Sequence, residues 1–160
     1  MAKGKPSRKN RNTAIQYYIA RISLVHQEPK SFSHIHFHAT PSLNYSLEAD
    51  INIFTDKKIV QIIISYIFFQ EEGKIFEITV ENDFKVINME SLLGELGESK
   101  NDFLVYLTDI SVNHTRGVQA TLIKDTPVSN FYIPSINRDS LIEKVKKKNP
   151  FVISEAMTIK

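Results

Sequence analysis

The chain has 160 residues, 42% of them hydrophobic and 24% charged, which is typical of one ordinary globular domain and excludes a wholly disordered chain. It has no cysteine, which excludes a disulfide framework, a thiolate zinc site and a cysteine nucleophile. The net charge is +2, but residues 1–12 carry five basic side chains and no acid, so the rest of the chain has a net charge of −3. We therefore expect residues 1–12 to form a disordered basic tail on a body that lacks a basic patch for nucleic acid.

No apolar run approaches the roughly 18 residues that a membrane-spanning helix needs. The most apolar run, Ile62–Phe69, is only eight residues long, which suits a buried strand. The basic tail is not followed by the apolar stretch of a secretory signal. We therefore expect a cytoplasmic protein with no membrane insertion.

The first half of the chain consists of extended runs that are rich in β-branched and aromatic residues. These runs cover residues 15–25, 32–38, 43–54, 58–70 and 74–81. The last two are joined by Glu71-Glu72-Gly73, which predicts a β-hairpin. We expect the second arm of the hairpin to continue through residues 83–88 after a kink at Asn82.

The spacing of apolar residues then changes to that of helices. Asn101 and Asp102 are suitable N-cap residues. The apolar stripe that follows them has spacings of three and four residues, and it comprises Phe103, Leu104, Leu107, Ile110, His114, Val118 and Leu122. We expect polar residues, Thr108 among them, on the opposite face, and close packing or a bend at Gly117. A second helix, residues 138–148, begins after Asn137 and carries the apolar residues Leu141, Ile142 and Val145.

Strands followed by helices predict an α+β fold with an antiparallel sheet. We divide the chain into a tail at 1–12, one domain at 13–150 and a C-terminal tail at 151–160.

Three alternating histidines, His34, His36 and His38, point to one face of a predicted strand. Two of them are close enough to share a metal ion, but no cysteine or nearby carboxylate completes the set. We favour a polar edge strand over a metal site. The sequence also has no phosphate-binding loop, nucleophile elbow or metalloprotease motif. We therefore expect no enzyme activity and no cofactor.

The chain carries more apolar surface than a small domain readily buries. The run from Ile59 to Phe69 is apolar on both faces of a strand, and two helices cover only one face. The segment 128–136 adds Phe131, Tyr132 and Ile133 where loops are usually polar. Two interpretations stay open: ordinary covering of the core, or an oligomer interface or groove that accepts apolar segments of other chains.

Two segments resemble the SecB family of export chaperones. KIFEITVENDFKV, at 74–86, is similar to the third strand of that family. LTDISVNHTRGVQATLIKDTPVSNFYIPSIN, at 107–137, is similar to its long first helix and to the crossover loop that follows. The resemblance covers residues 15–148, and its most specific motif is TPVSNFYIPSIN.

The resemblance implies a four-stranded antiparallel sheet followed by two helices, assembled as a dimer of dimers. It implies an ATP-independent holdase that binds unfolded polypeptides in apolar grooves, with a possible role in protein export. The groove residues that it implies are Phe131, Ile133, Pro134, Leu141 and Ile142, and we add Tyr66 and Phe68 from the two-faced strand. The first helix is expected between subunits, and its interface residues are Leu107, Ile110 and His114.

Glu77 matches an acidic position through which family members dock on the SecA motor, but His26 stands where the family pattern has another acid. Together with a body charge of only −3, this argues against docking to SecA. Divergent members of the family serve as dedicated chaperones for one partner, such as the antitoxin of a toxin–antitoxin pair, and that function is an alternative here.

Two other classes of function are weighed beside the holdase. The first is a small-molecule or lipid carrier with a cavity between sheet and helices. The second is an RNA-binding module that uses the basic tail, with Tyr17 and Tyr18 as stacking faces. The negative charge of the body argues against the second.

Overall fold

The computed structural model describes residues 14–29, 42–70, 73–94, 98–126, 129, 133–147 and 149–158. Within these ranges the strands are β1 (Tyr17–Glu28), β2 (Ser42–Phe54), β3 (Ile59–Gln70), β4 (Gly73–Val86) and β5 (Phe151–Thr158). The helices are α1 (Met89–Gly94), α2 (Glu98–Ile123) and α3 (Arg138–Lys147). The α+β class is therefore confirmed, and the histidines His34, His36 and His38 and residues 1–12 lie outside the described residues.

The described strands form one antiparallel sheet in the order β1-β4-β3-β2-β5. The expected number of strands was four, and the sheet has five because residues 151–158, expected as a tail, pair with β2. Asn149 prepares this pairing: its side-chain amide donates to the carbonyl of Ile51 at 2.7 Å and accepts from the Ile51 amide at 2.9 Å. The side chain of Asn149 thus pairs with the backbone of β2 two residues before β5 begins.

The hairpin of β3 and β4 was predicted from the sequence and forms the centre of the sheet. Gly73 has a φ of +123°, a backbone conformation that favours glycine at the start of β4. The kink expected at Asn82 is absent, since β4 runs through that residue as one described strand from Gly73 to Val86.

One face of the sheet holds the core. Alternate residues of the central strands point inward and are completely buried, among them Val60, Ile62, Ile64, Tyr66, Phe68, Phe76, Ile78 and Val80. The rings of Phe68 and Phe76 stack with their centres 4.2 Å apart. The other residues of β3 are only partly buried, so this strand has one core face and one open face.

The long helix α2 packs on β3 and β4 through a stripe of small polar residues. Thr108, Ser111 and Thr115 are fully buried, and each hydroxyl donates to the carbonyl four residues earlier. Each hydroxyl therefore meets its hydrogen-bonding need inside the helix, and a small side chain lets the helix lie close to the sheet. The expectation that Thr108 lies on the exposed face was wrong.

Three further details of the helices differ from the sequence prediction. The helix α2 begins at Glu98, before the expected caps Asn101 and Asp102, and α1 was not predicted. Gly117 is exposed, with no atom within 4 Å of the position that a Cβ would take, so it does not mark close packing.

The predicted cap of α3 is confirmed, because Asn137 Oδ1 accepts from the amides of Asp139 at 2.8 Å and Ser140 at 3.4 Å.

Candidate functional site

The edge strand β1 carries an unusual amount of exposed apolar surface. In the described part of the chain it pairs with β4 alone, and its 12 residues are exposed or half-buried. Its large exposed apolar side chains have 40 to 54% of their surface accessible, and they are Tyr18, Ile19, Ile22, Leu24 and Val25. Natural sheets usually protect such an edge with charges, prolines or a covering element, because an open strand pairs with other chains.

Register explains how this apolar surface arises. Ile19, Ile22 and Leu24 pair with Phe84, Asn82 and Val80, which are buried on the helix-bearing face of the sheet. The three β1 residues therefore lie on the same face as the core, but beyond the part of the sheet that α2 covers. A surface that continues the core is left open at the edge.

The flank of α2 borders this surface. Tyr106 is 49% exposed, and its hydroxyl is 3.0 Å from the hydroxyl of Tyr17 at the start of β1. Ile110 follows one turn later on the same flank and is half-buried. We name the area formed by Ile19, Ile22, Leu24, Tyr106 and Ile110 the β1–α2 surface.

The opposite face of β1 is polar and attaches the edge strand to the sheet. Arg21 Nε donates to Asp83 Oδ2 at 2.9 Å, and the guanidinium also pairs with Glu81. Gln61 donates to the second oxygen of Asp83 at 3.1 Å. The hydrogen bond to Asp83, followed by the charges of both acids, raises the pKa of Arg21. Strand β1 is thus firmly held on its polar face while its apolar face is open.

A second polar cluster lies at the far end of β1 and joins four charged or titratable side chains. Lys74 Nζ is 2.5 Å from Glu28 Oε2 and 3.0 Å from Glu77 Oε2. His26 Nε2 is 4.0 Å and 3.9 Å from the same two oxygens. The hydrogen bonds to Glu28 and then Glu77 raise the pKa of Lys74. Glu77, which matches an acidic docking position of the SecB family, is therefore engaged by side chains of its own chain.

The residues expected to form a polypeptide-binding groove are mostly inside the protein. Tyr66, Phe68, Ile133 and Leu141 are buried, and this set is completed by the half-buried Pro134 and Ile142. Phe131 lies outside the described residues. The backbone near Ile133 is fixed to α2, since Arg116 Nε donates to its carbonyl at 3.1 Å and Gln119 Oε1 accepts from its amide at 3.3 Å.

The three residues expected at a subunit interface have different environments. Leu107 is completely buried within the single chain, and Ile110 is half-buried on the β1–α2 surface. His114 Nδ1 lies 2.7 Å from Asn82 Oδ1, and its ring stacks on Phe84 with the centres 6.5 Å apart. Of the three, only Ile110 belongs to the open area defined above.

Sequence reasoning missed Ile19, Ile22 and Leu24 as candidate binding residues. The signal was present, because residues 15–25 form a long apolar run. Whether a strand lies at an edge or in the centre depends on the order of strands, however, and no local pattern encodes that order.

No protein-family model matches the chain, and a search of curated proteins finds no match. Of the helices that the structure describes, none is both long enough and apolar enough to cross a membrane.

Proposed function

We propose that this protein is an ATP-independent holdase that binds non-native polypeptides, as its resemblance to the SecB family implies. The single observation that carries the proposal is the apolar edge strand β1, with five large side chains exposed along it. An extended segment of another chain can add to such an edge through backbone hydrogen bonds.

Binding at β1 needs no nucleotide and little sequence specificity. The backbone hydrogen bonds of an added strand do not depend on sequence, and the β1–α2 surface contributes by removing apolar area from water. Each Å² of apolar area removed stabilises the complex by about 25 cal/mol. Unfolded chains expose both apolar side chains and unpaired backbone, so they match this surface better than folded proteins do.

A second copy of the chain offers the same kind of strand, and self-assembly into a dimer of dimers is part of the proposal. A role in protein export and a cytoplasmic location are further parts of it, and service to one dedicated partner, such as an antitoxin, is the alternative to export. The open face of β1 supports the capture of polypeptide in each of these settings.

The test is suppression of aggregation without ATP. An unrelated, chemically unfolded protein is diluted into buffer that contains this protein, and light scattering is followed. We expect the wild type to suppress scattering and Ile22→Lys to need about a tenfold higher concentration. Fully burying an isoleucine contributes about 1.5 to 3 kcal/mol, and Ile22, which is 42% exposed, gains the lower end of this range.

Val152→Lys is the matched control. Val152 is 46% exposed and β-branched like Ile22, and it lies on the other edge strand, β5. It should leave suppression unchanged. Light scattering of the protein alone gives its mass and separates loss of self-assembly from loss of capture. Equal suppression by both variants, each folded by circular dichroism, would remove β1 from the binding surface.

A further inference from the structure

A β-bulge places His26 and Glu28 on the polar face of the sheet. Strict alternation from Ser23 would direct His26 and Glu28 to the helix-bearing face. The register shifts between Leu24 and His26, however, so Val25 is the extra residue and His26 pairs with Thr79. Glu28 then lies directly opposite Glu77.

The three donor atoms surround one point. One ligand atom each of His26, Glu28 and Glu77 lies within 4.8 Å of those of the other two. In a tetrahedral zinc site with bonds of about 2.0 to 2.2 Å, neighbouring donor atoms are about 3.4 Å apart. The two measured His26 distances, 4.0 Å and 3.9 Å, exceed this by about half an ångström. All three side chains are partly exposed, so small rotations suffice to close the gap.

The charge balance favours a divalent cation. Glu28 and Glu77 are directly opposed acids, an arrangement that is unfavourable without a cation between them. Lys74 contacts both of them but supplies only one positive charge. Its flexible side chain is partly exposed, and it can move into solvent when an ion replaces its ammonium group.

We propose that His26, Glu28 and Glu77 form a binding site for a divalent transition-metal ion, zinc above all, which displaces Lys74. A neutral imidazole with two carboxylates suits zinc, whereas calcium and magnesium prefer oxygen donors alone. Water completes the coordination on the exposed side. The bound ion cross-links the end of edge strand β1 to β4, and this site is independent of the proposed chaperone function.

The experiment titrates zinc against a chromophoric chelator at near-neutral pH. The parent protein carries His34→Asn, His36→Asn and His38→Asn, so that those three histidines do not contribute. We expect one zinc ion per chain. His26→Gln and Glu77→Gln should each weaken binding about tenfold or more, because even the loss of a residue that only supports a ligand costs about 10- to 100-fold.

Two further variants separate this site from a generally acidic surface. Lys74→Gln removes both the competing ammonium group and its positive charge. Both losses should tighten zinc binding. Glu48→Gln, an exposed acid on β2, is the matched control and should leave the affinity unchanged. Equal weakening by Glu48→Gln and Glu77→Gln would overturn the proposal.

Thermal unfolding gives a readout that does not depend on the chelator. A ligand that binds only the folded state raises the melting temperature. Zinc should therefore raise the Tm of the parent protein and have little effect on the Tm of His26→Gln. A parent protein that binds no zinc, or a His26→Gln variant that binds it as tightly, would overturn the proposal.

Discussion

His114 Nδ1 lies 2.7 Å from Asn82 Oδ1, and this hydrogen bond joins the long helix α2 to the centre of the sheet. Asn82 is completely buried, and its Nδ2 donates to the carbonyl of Ile62 at 3.3 Å. The amide oxygen is therefore the acceptor, so Nδ1 of His114 carries the proton and donates it. The first prediction concerns what happens when this ring takes up a second proton.

Burial lowers the pKa of His114 from its ordinary value of 6.5, because desolvation disfavours the charged imidazolium. The unfolded chain then binds a proton more readily than the folded chain does. The stability that depends on neutral His114 is fully present above about pH 6.5 and is lost as the pH falls below that value toward the lower pKa of the folded state. We expect the free energy of unfolding to decrease over this range.

His114→Gln keeps a side-chain amide that can donate to Asn82 but does not titrate. Urea unfolding at a series of pH values should show a smaller acid-induced loss of stability in this variant than in the wild type. An identical pH dependence in wild type and His114→Gln would show that protonation of His114 does not cause the acid-induced loss of stability.

The second prediction uses two glycines that both have room for a Cβ but differ in backbone conformation. Neither Gly117 nor Gly73 has an atom within 4 Å of an added Cβ, but only Gly73 has a positive φ, at +123°. Gly117→Ala should stabilise the protein by about 1 kcal/mol, because alanine is the better helix former. Gly73→Ala should destabilise it by about 1 to 3 kcal/mol through backbone strain. Chemical denaturation measures the free energy of unfolding of both variants. If both were stabilised or both were destabilised, backbone conformation would not decide the effect.

Much of the fold is encoded locally and was accessible from the sequence. The hairpin of β3 and β4 follows from two apolar runs around Gly73, and the start of α3 follows from Asn137 as its cap. The apolar stripe of α2 was a poorer guide to which face of the helix is buried. Its most buried positions include Thr108, Ser111 and Thr115, whose hydroxyls bond within the helix, so hydropathy alone assigned the wrong face to Thr108.

Features that depend on distant partners were not accessible. Strand β5 follows Pro150 and has only eight residues, and its pairing with β2 joins residues about a hundred positions apart in sequence. The bulge at Val25 depends on the register with β4, and it places His26 on the face of the sheet that carries Glu77. The metal-binding candidate arises from the register of β1 on β4, and the open face of β1 arises from strand order; no single segment determines either.

The third prediction tests whether β5 is an integral part of the fold. Phe151 is 2% exposed and pairs with Ala49 in β2, whereas its neighbour Val152 points to solvent. Phe151→Ala should lower the free energy of unfolding by about 3 to 5 kcal/mol, the usual cost of truncating a buried phenylalanine. Val152→Ala is the control and should change it by about 0.5 kcal/mol or less. A small effect at Phe151 would mean that β5 is not packed on the core.

The fourth prediction concerns the contact between the start of β1 and α2. The hydroxyl of Tyr17 donates to that of Tyr106 at 3.0 Å, and the Tyr17 ring packs edge-on against Phe103, with centres 5.7 Å apart. Desolvation, followed by the hydrogen bond to Tyr106, raises the pKa of Tyr17 to about 12. Between about pH 10 and pH 12 the folded state therefore keeps this proton, whereas the unfolded state, with a pKa near 10.0, has released it.

Because the folded state binds the extra proton, the stability that depends on neutral Tyr17 is present below about pH 10 and is lost as the pH rises toward 12. Tyr17→Phe should reduce this alkaline loss, which urea unfolding across the range measures. Tyr18→Phe is the matched control, because Tyr18 is the adjacent residue and is exposed. If Tyr17→Phe and Tyr18→Phe showed the same alkaline profile as the wild type, the contact between Tyr17 and Tyr106 would not restrain ionisation in solution.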